Sequence, residues 1–111
     1  MIYLPSDFNP ASINDETQAT YTPLYNYTRL SSTSGKMIFT ADKIYYLIDN
    51  PAIKATVADW CLDIAEIASY GKQGLGGYKI ILADGKKLLF SNVFRKMREG
   101  ITAAIEARLN R

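Results

Sequence analysis

The sequence predicts a mostly β, α+β domain closed by one C-terminal amphipathic helix. Three observations predict it. Asp84-Gly85 stands between two apolar runs, as the turn of a β-hairpin does. Eight tyrosines and four phenylalanines favour strands over an all-helical bundle. Phe94, Met97, Ile101, Ala104 and Ile105 recur at i, i+3, i+7, i+10 and i+11, which puts them on one face of a helix.

The elements follow in chain order. Residues 1–15 carry Pro5, Pro10 and small polar residues and are expected to form an irregular tail. Ile2, Leu4 and Phe8 within it are available to dock on the domain or a neighbour. Residues 16–111 are expected to form a single domain. In 16–30, Tyr21, Tyr25 and Tyr27 alternate with Thr22, Leu24, Asn26 and Thr28, the period of one strand, with Pro23 marking an edge or bulge. Residues 31–35 are expected to be a loop. Met37 and Phe39, then Ile44, Tyr46 and Ile48, alternate on either side of a tight turn at 40–43, a hairpin that ends at Asn50-Pro51.

Residues 52–70 carry two readings. As a helix they take Asn50 as N-cap, Pro51 at N1 and Gly71 at C′, and align Ile53, Val57, Trp60, Cys61, Ile64 and Ile67. As a strand they point Trp60, Leu62 and Ile64 inward and Asp59, Cys61 and Asp63 outward. Periodicity by itself favours the helix. Residues 71–77 place four glycines in seven positions, a loop open to close backbone approach. A two-residue type I′ turn at Asp84-Gly85 pairs Ile81 with Leu88 and Tyr78 with Ser91. Ser91 and Asn92 are the N-cap candidates of the helix.

Composition narrows the chemistry. Histidine is absent, which removes Ser-His-Asp and Cys-His catalysis and histidine-ligated metals. The single cysteine, Cys61, allows no intrachain disulfide and no zinc or iron–sulfur site. Nothing basic neighbours it in sequence, so a packed thiol is expected rather than a nucleophile. Asp59, Asp63 and Glu66 read as a solvated acidic face. The glycine loop fits neither the P-loop, since Lys72 precedes its glycines, nor Gly-x-Gly-x-x-Gly. No catalytic residue, metal or cofactor is expected. The opening ten residues lack the basic start of a signal peptide, and no run approaches the ~20 apolar residues of a membrane span. A cytoplasmic location is expected.

The net charge of +2 conceals an asymmetry: residues 1–70 carry four basic and eight acidic side chains, residues 71–111 nine basic and three acidic. Such a split marks an anionic partner or the solvated faces of two elements. Arg95, Lys96 and Arg98 fall at the start of the helix, where the backbone carries partial positive charge and acids are preferred. With Lys72 and the glycine N–H groups they form a candidate anion-binding set.

The order of motifs resembles the pleckstrin-homology-like superfamily, closest to GRAM-type and bacterial PH-like domains. Gly35-Lys36-Met37-Ile38-Phe39-Thr40 followed by Lys43-Ile44 is similar to the family's Gly-x-Leu-x-Leu-Thr-x-x-Arg-Leu hairpin, with Lys43 in place of the Arg. Leu62-Asp63-Ile64-Ala65-Glu66-Ile67 is similar to Ile-Pro-Leu-x-Asp/Glu-Ile, with Asp63 in place of the Pro. Gly76-Gly77-Tyr78-Lys79-Ile80, then Asp84-Gly85-Lys86-Lys87 and Phe90, match the late hairpin, and the helix from Phe94 the closing helix. The resemblance spans residues 16–109. It implies a strongly bent antiparallel sheet or partly open barrel, capped by the C-terminal helix, with residues 56–62 in a strand. It implies a non-enzymatic binding or scaffolding module for protein partners or self-association. The alternative is a peripheral membrane module binding anionic headgroups weakly. Nucleic acid is not an expected partner. It also implies a second basic set, on the rim opposite the helix: Arg29, Lys36, Lys54, Lys86 and Lys87.

Overall fold

The computed structural model describes residues 1–110 apart from 6, 16, 29–30 and 51–54. The described chain forms two five-stranded antiparallel sheets and one long helix. The first sheet runs β1 (Ile2–Tyr3), β7 (Ala55–Asp63), β6 (Lys43–Asn50), β5 (Gly35–Phe39), β2 (Ala19–Tyr21). The second runs β4 (Ser32–Thr33), β3 (Leu24–Asn26), β10 (Lys87–Ser91), β9 (Gly77–Leu82), β8 (Ile67–Gln73). Helix α1 (Arg95–Leu109) covers one end, against β8 and β2. This is the bent, partly open sheet with a helical cap that the family resemblance implies.

The alternation of apolar residues explains the strands. Met37, Phe39, Ile44, Tyr46, Trp60 and Leu62 face the core from the first sheet, and Tyr25, Tyr78, Ile80, Leu82, Leu88 and Phe90 from the second. Tyr46 and Trp60 stack at 5.5 Å, and each also meets Tyr25 (5.4 Å) and Phe90 (6.2 and 6.3 Å) across the sheets. The buried Tyr46 hydroxyl donates to the carbonyls of Pro23 (2.8 Å) or Thr33 (3.2 Å), so the ring also holds the backbone where the chain changes sheets. Ile38, Leu47 and Cys61 are buried on the outer face of the first sheet. The N-terminal segment crosses that face, with Phe8 stacked on Tyr45. The segment read as an irregular tail therefore contributes β1 and a 3-10 turn at Pro10–Ser12.

Residues 55–63 are a strand, as the resemblance implies and periodicity does not. The helical period arises from interruptions in the strand alternation. Pairing jumps from Tyr46↔Trp60 to Leu47↔Ala58, leaving Asp59 as an extra, bulged residue. A 3-10 turn at Ile64–Glu66 and a second bulge at Ala68 follow. The 3-10 turn shifts the inward face by one position, from Ile64 to Ile67. Trp60, Leu62 and Ile64 reach the core in strict alternation, and Ile67 reaches it three residues later, past the 3-10 turn. The proposed helix start at Asn50-Pro51 touches residues outside those described.

Four further expectations are corrected. The single strand over 16–30 is two, β2 and β3, which belong to different sheets. Pro23, buried between them, forms the corner because it supplies no N–H to a ladder. The 31–35 loop contains β4 and the first residue of β5. The late hairpin is shifted by one: Ile80 pairs with Leu88 and Tyr78 with Phe90. A one-residue slip would turn Leu88 and Phe90 out of the core, so burial sets the register. The loop accordingly has three residues, 83–85. Leu82 N–H donates to Lys86 O and Gly85 N–H to Leu82 O, both at 2.9 Å. Only Gly85 has positive φ (91°), whereas type I′ needs two such residues. Finally, the helix N-cap is Phe94, with no side-chain cap, rather than Ser91 or Asn92. Asn92 instead takes a left-handed turn (φ 60°).

Helix α1 is fixed at both ends of its buried stripe. Ile101 and Ile105 are fully buried and Met97 partly so, whereas Phe94, expected in the same stripe, is 61% exposed. Near the C-terminus the Arg108 guanidinium donates to Thr40 O (2.5 Å), Thr17 O (2.6 Å) and Ala104 O (3.0 Å), and lies 5.2 Å from the Phe39 ring. Two predictions follow from this packing. Ile101→Asp buries an unpaired charge and should cost several kcal/mol, comparable with the stability of a domain this size; an unchanged thermal midpoint would refute the helix's place in the core. Arg108→Ala removes three hydrogen bonds and should cost about 1–3 kcal/mol in denaturant titration.

Candidate binding surface

The surface is built around the β8–β9 turn and the start of α1. Strand β8 continues through Gly71 to Gln73, so the glycine loop contracts to a three-residue turn, 74–76. Gly74 (φ 61°) and Gly76 (φ 73°) adopt left-handed conformations that other residues take only with strain. Leu75 between them is 97% exposed. Val93 N–H donates to Gly76 O at 2.9 Å, tying the turn to the helix entry. A Cβ at Gly76 would lie 3.2 Å from Phe94 Cε1, so the ring rests over the glycine.

The four cations named from the sequence lie around this point but do not converge on one spot. Lys72 and Arg98 line a groove shared with Glu99, Thr102, Ala103 and Glu106. Lys96 lies on another side, in a groove of about 670 Å³ with Tyr21, Phe94, Met97 and Gly100. Arg95 is exposed and paired with Glu99 at 3.1 Å. The opposite rim is more dispersed. Lys36 is on β5 of the first sheet, and Lys87 begins β10 of the second. Lys86 lies 5.4 Å from the centre of the Tyr3 ring. Arg29 and Lys54 lie outside the described residues. Strand β10 separates Lys86 from the helix entry by five residues, roughly 17 Å.

Leu75 and Phe94 are the residues that sequence reasoning missed as surface features. Leu75 had a legible signal: a leucine flanked by turn glycines has no neighbouring strand to cover it. Phe94 had none, because helical spacing aligned it with Met97 and Ile101; the helix begins one residue later than that stripe requires.

The larger groove runs beside β2, the outermost strand of its sheet. Its floor depends on Gly100, where a Cβ would come within 2.7 Å of the Tyr21 ring. A larger residue would push the ring off the helix.

The acidic residues are engaged in structure. Tyr27 donates to Asp59 Oδ2 at 2.6 Å; burial and then this bond push the Tyr27 hydroxyl's pKa up. Asp63 pairs with Lys43. Glu66 accepts from the Met1 ammonium and from Asp63 N–H (2.8 Å), which hold its carboxyl below the usual range. Burial pushes the Cys61 thiol up, away from the reactive thiolate.

Gly76→Ala should cost about 1–2 kcal/mol, from the left-handed φ and the contact with Phe94. Denaturant titration checks this; an unchanged midpoint would mean the turn is not held by Gly76.

No family model matches the sequence, and no curated protein matches it. Solved structures do. The N-terminal PH domain of human ARAP2 superposes with a TM-score of 0.68 at 9% identity, over 87% of this chain and 83% of that one. The C-terminal domain of an unknown protein from Leishmania infantum gives 0.62 at 8% identity, over 84% and 83%. At such identities the likeness is one of fold: the chain has a PH-like α+β architecture.

Proposed function

We propose that the protein is a non-catalytic binding module that engages another polypeptide, a second copy of itself included, by strand addition along β2. The observation that carries this reading is the outer edge of β2 lying beside an apolar groove. An edge strand presents unpaired N–H and C=O groups, and natural edges are usually blunted by charge or proline. Ala19, Thr20 and Tyr21 carry no charge, and Pro23 comes only after the strand ends. An incoming extended segment would extend the ladder through its backbone and place alternate side chains against Tyr21, Phe94 and Met97. PH-like folds generally serve as binding modules, which fits this use. Among the described residues no helix is long and apolar enough to cross a membrane.

The test uses Thr20→Lys/Thr22→Lys, two exposed positions where lysines blunt the edge without touching the core. Light scattering across a concentration series, with pulldown from native lysate, is run on wild type and variant. Wild type should self-associate or capture a polypeptide partner, and the variant should do so at least about tenfold more weakly. A monomeric wild type whose captured partners are all retained by the variant would overturn the reading.

A further inference from the structure

We propose that the β2 edge selects an acidic partner strand. An aspartate or glutamate of that strand meets Lys96, and the residue two positions after it is a large apolar side chain that enters the groove over Tyr21, Met97 and Gly100. This rests on the strand-addition reading and adds to it the chemistry of the partner, which is not that of a second copy's β2.

Helix α1 runs antiparallel to β2 along the groove. Near the end of the helix Arg108 Nη2 donates to Thr17 O at 2.6 Å; nearer its start a Cβ at Gly100 would come within 2.7 Å of the Tyr21 ring. Asn92, Phe94 and Lys96 line the groove together with Thr22, past the end of β2. The Tyr21 ring faces the helix, so the residue opposite Tyr21 on an added strand shares that face and meets Met97 and Gly100. Lys96 stands four residues before Gly100, on the same helix face. Four helical residues rise about 6 Å, and two strand residues advance about 6.8 Å. The incoming residue two positions toward the Pro23 end therefore arrives level with Lys96, on the same face. Antiparallel ladders are slightly more stable per residue than parallel ones, and in that direction the acid precedes the apolar residue.

Charge selects the partner. Among the described residues that line this groove, Lys96 is the one charged side chain. Its neighbours within a helical turn on the same side are Asn92, Val93, Glu99 and Gly100, and Glu99 is paired with Arg95 at 3.1 Å. A cation at a helix start opposes the helix dipole, so this placement gives the helix nothing. Thr20 and Thr22, on the facing wall, are neutral. The groove thus offers a positive charge at one end and apolar surface one turn away. The β2 strand of a second copy does not match it, because residues 17–22 hold no acid. A different polypeptide with an acid two residues before a large apolar side chain does.

The experiment selects a display library of random short peptides on the full chain, as wild type and as Lys96→Glu. The substitution puts an acid where a helix start prefers one, so the thermal midpoint should not fall. Peptides enriched by wild type should carry an acid two residues before a large apolar side chain. Lys96→Glu should enrich lysine or arginine at the acid's position. The strongest wild-type peptide is then synthesised. Replacing its acid by the matching amide should weaken binding to wild type about threefold, and should not weaken binding to Lys96→Glu. N-methylation of alternate residues removes ladder donors and keeps every side chain. One alternate set should abolish binding, and the other, whose N–H groups face away, should be tolerated. Enriched peptides without the acid, or the same peptides enriched on Lys96→Glu, overturn the partner chemistry; strand addition survives that result if N-methylation still abolishes binding. Tolerance of N-methylation at every residue overturns strand addition and this proposal with it. So does failure of the full chain to enrich any peptide.

Discussion

Four aromatic rings between the sheets constrain most of what surrounds them. Tyr46 and Trp60 come from one sheet, Tyr25 and Phe90 from the other, and every pair among them is in contact. Aromatic pairs contribute about 0.5–1.5 kcal/mol beyond the area they bury. Their sizes set the spacing of the sheets, and their positions set which residues of β3, β6, β7 and β10 face inward. The Tyr46 hydroxyl extends that control to the Pro23 corner, where the chain leaves one sheet for the other. Trp60 Nε1 is buried without a partner among the described residues. An orphan donor of that kind costs about 1–3 kcal/mol, which the burial of the ring offsets.

With the sheets held this way, the ends of the sandwich are left to be closed by other means. At one end α1 inserts Ile101 and Ile105, and Arg108 ties its last turn to the carbonyls of Thr40 and Thr17. The 3-10 turn at Ile64–Glu66 links the two hairpins: Ile64 N–H donates to Asp42 O and Ala83 N–H to Glu66 O, both at 2.8 Å. The helix entry is different. It has no side-chain cap, its first turn carries no acid, and its capping residue is a largely exposed phenylalanine. Local stability would favour the reverse of each of these choices. The groove beside β2 reaches that entry through Phe94 and Lys96, which is where departures from local preference are expected to carry function.

The sequence by itself determined the hairpin over 36–49, the closing helix and the mostly β class. These are repeating patterns read over many residues, and one irregular position does not obscure them. Exclusion of histidine- and cysteine-based chemistry was also legible, because it depends only on which residues exist. The cations at the helix start were identifiable from composition along the chain. Their division between two grooves was not, since it depends on how the side chains fan out from a helix whose first turn begins at Arg95.

Tertiary structure decided the rest. The bulge at Asp59 and the 3-10 turn at Ile64 interrupt the alternation of one strand region enough for it to imitate a helical period. No local propensity announces a bulge; it forms where the sheet must bend to wrap the core. The register of the late hairpin was likewise settled by the burial of Leu88 and Phe90 against Ile80 and Tyr78, over the local preference of Asp-Gly for a two-residue turn. Exposure of Leu75 and Phe94 belongs to the same class. An apolar residue is buried only if another element arrives to cover it, and which elements arrive is a property of the assembled sheets rather than of the segment.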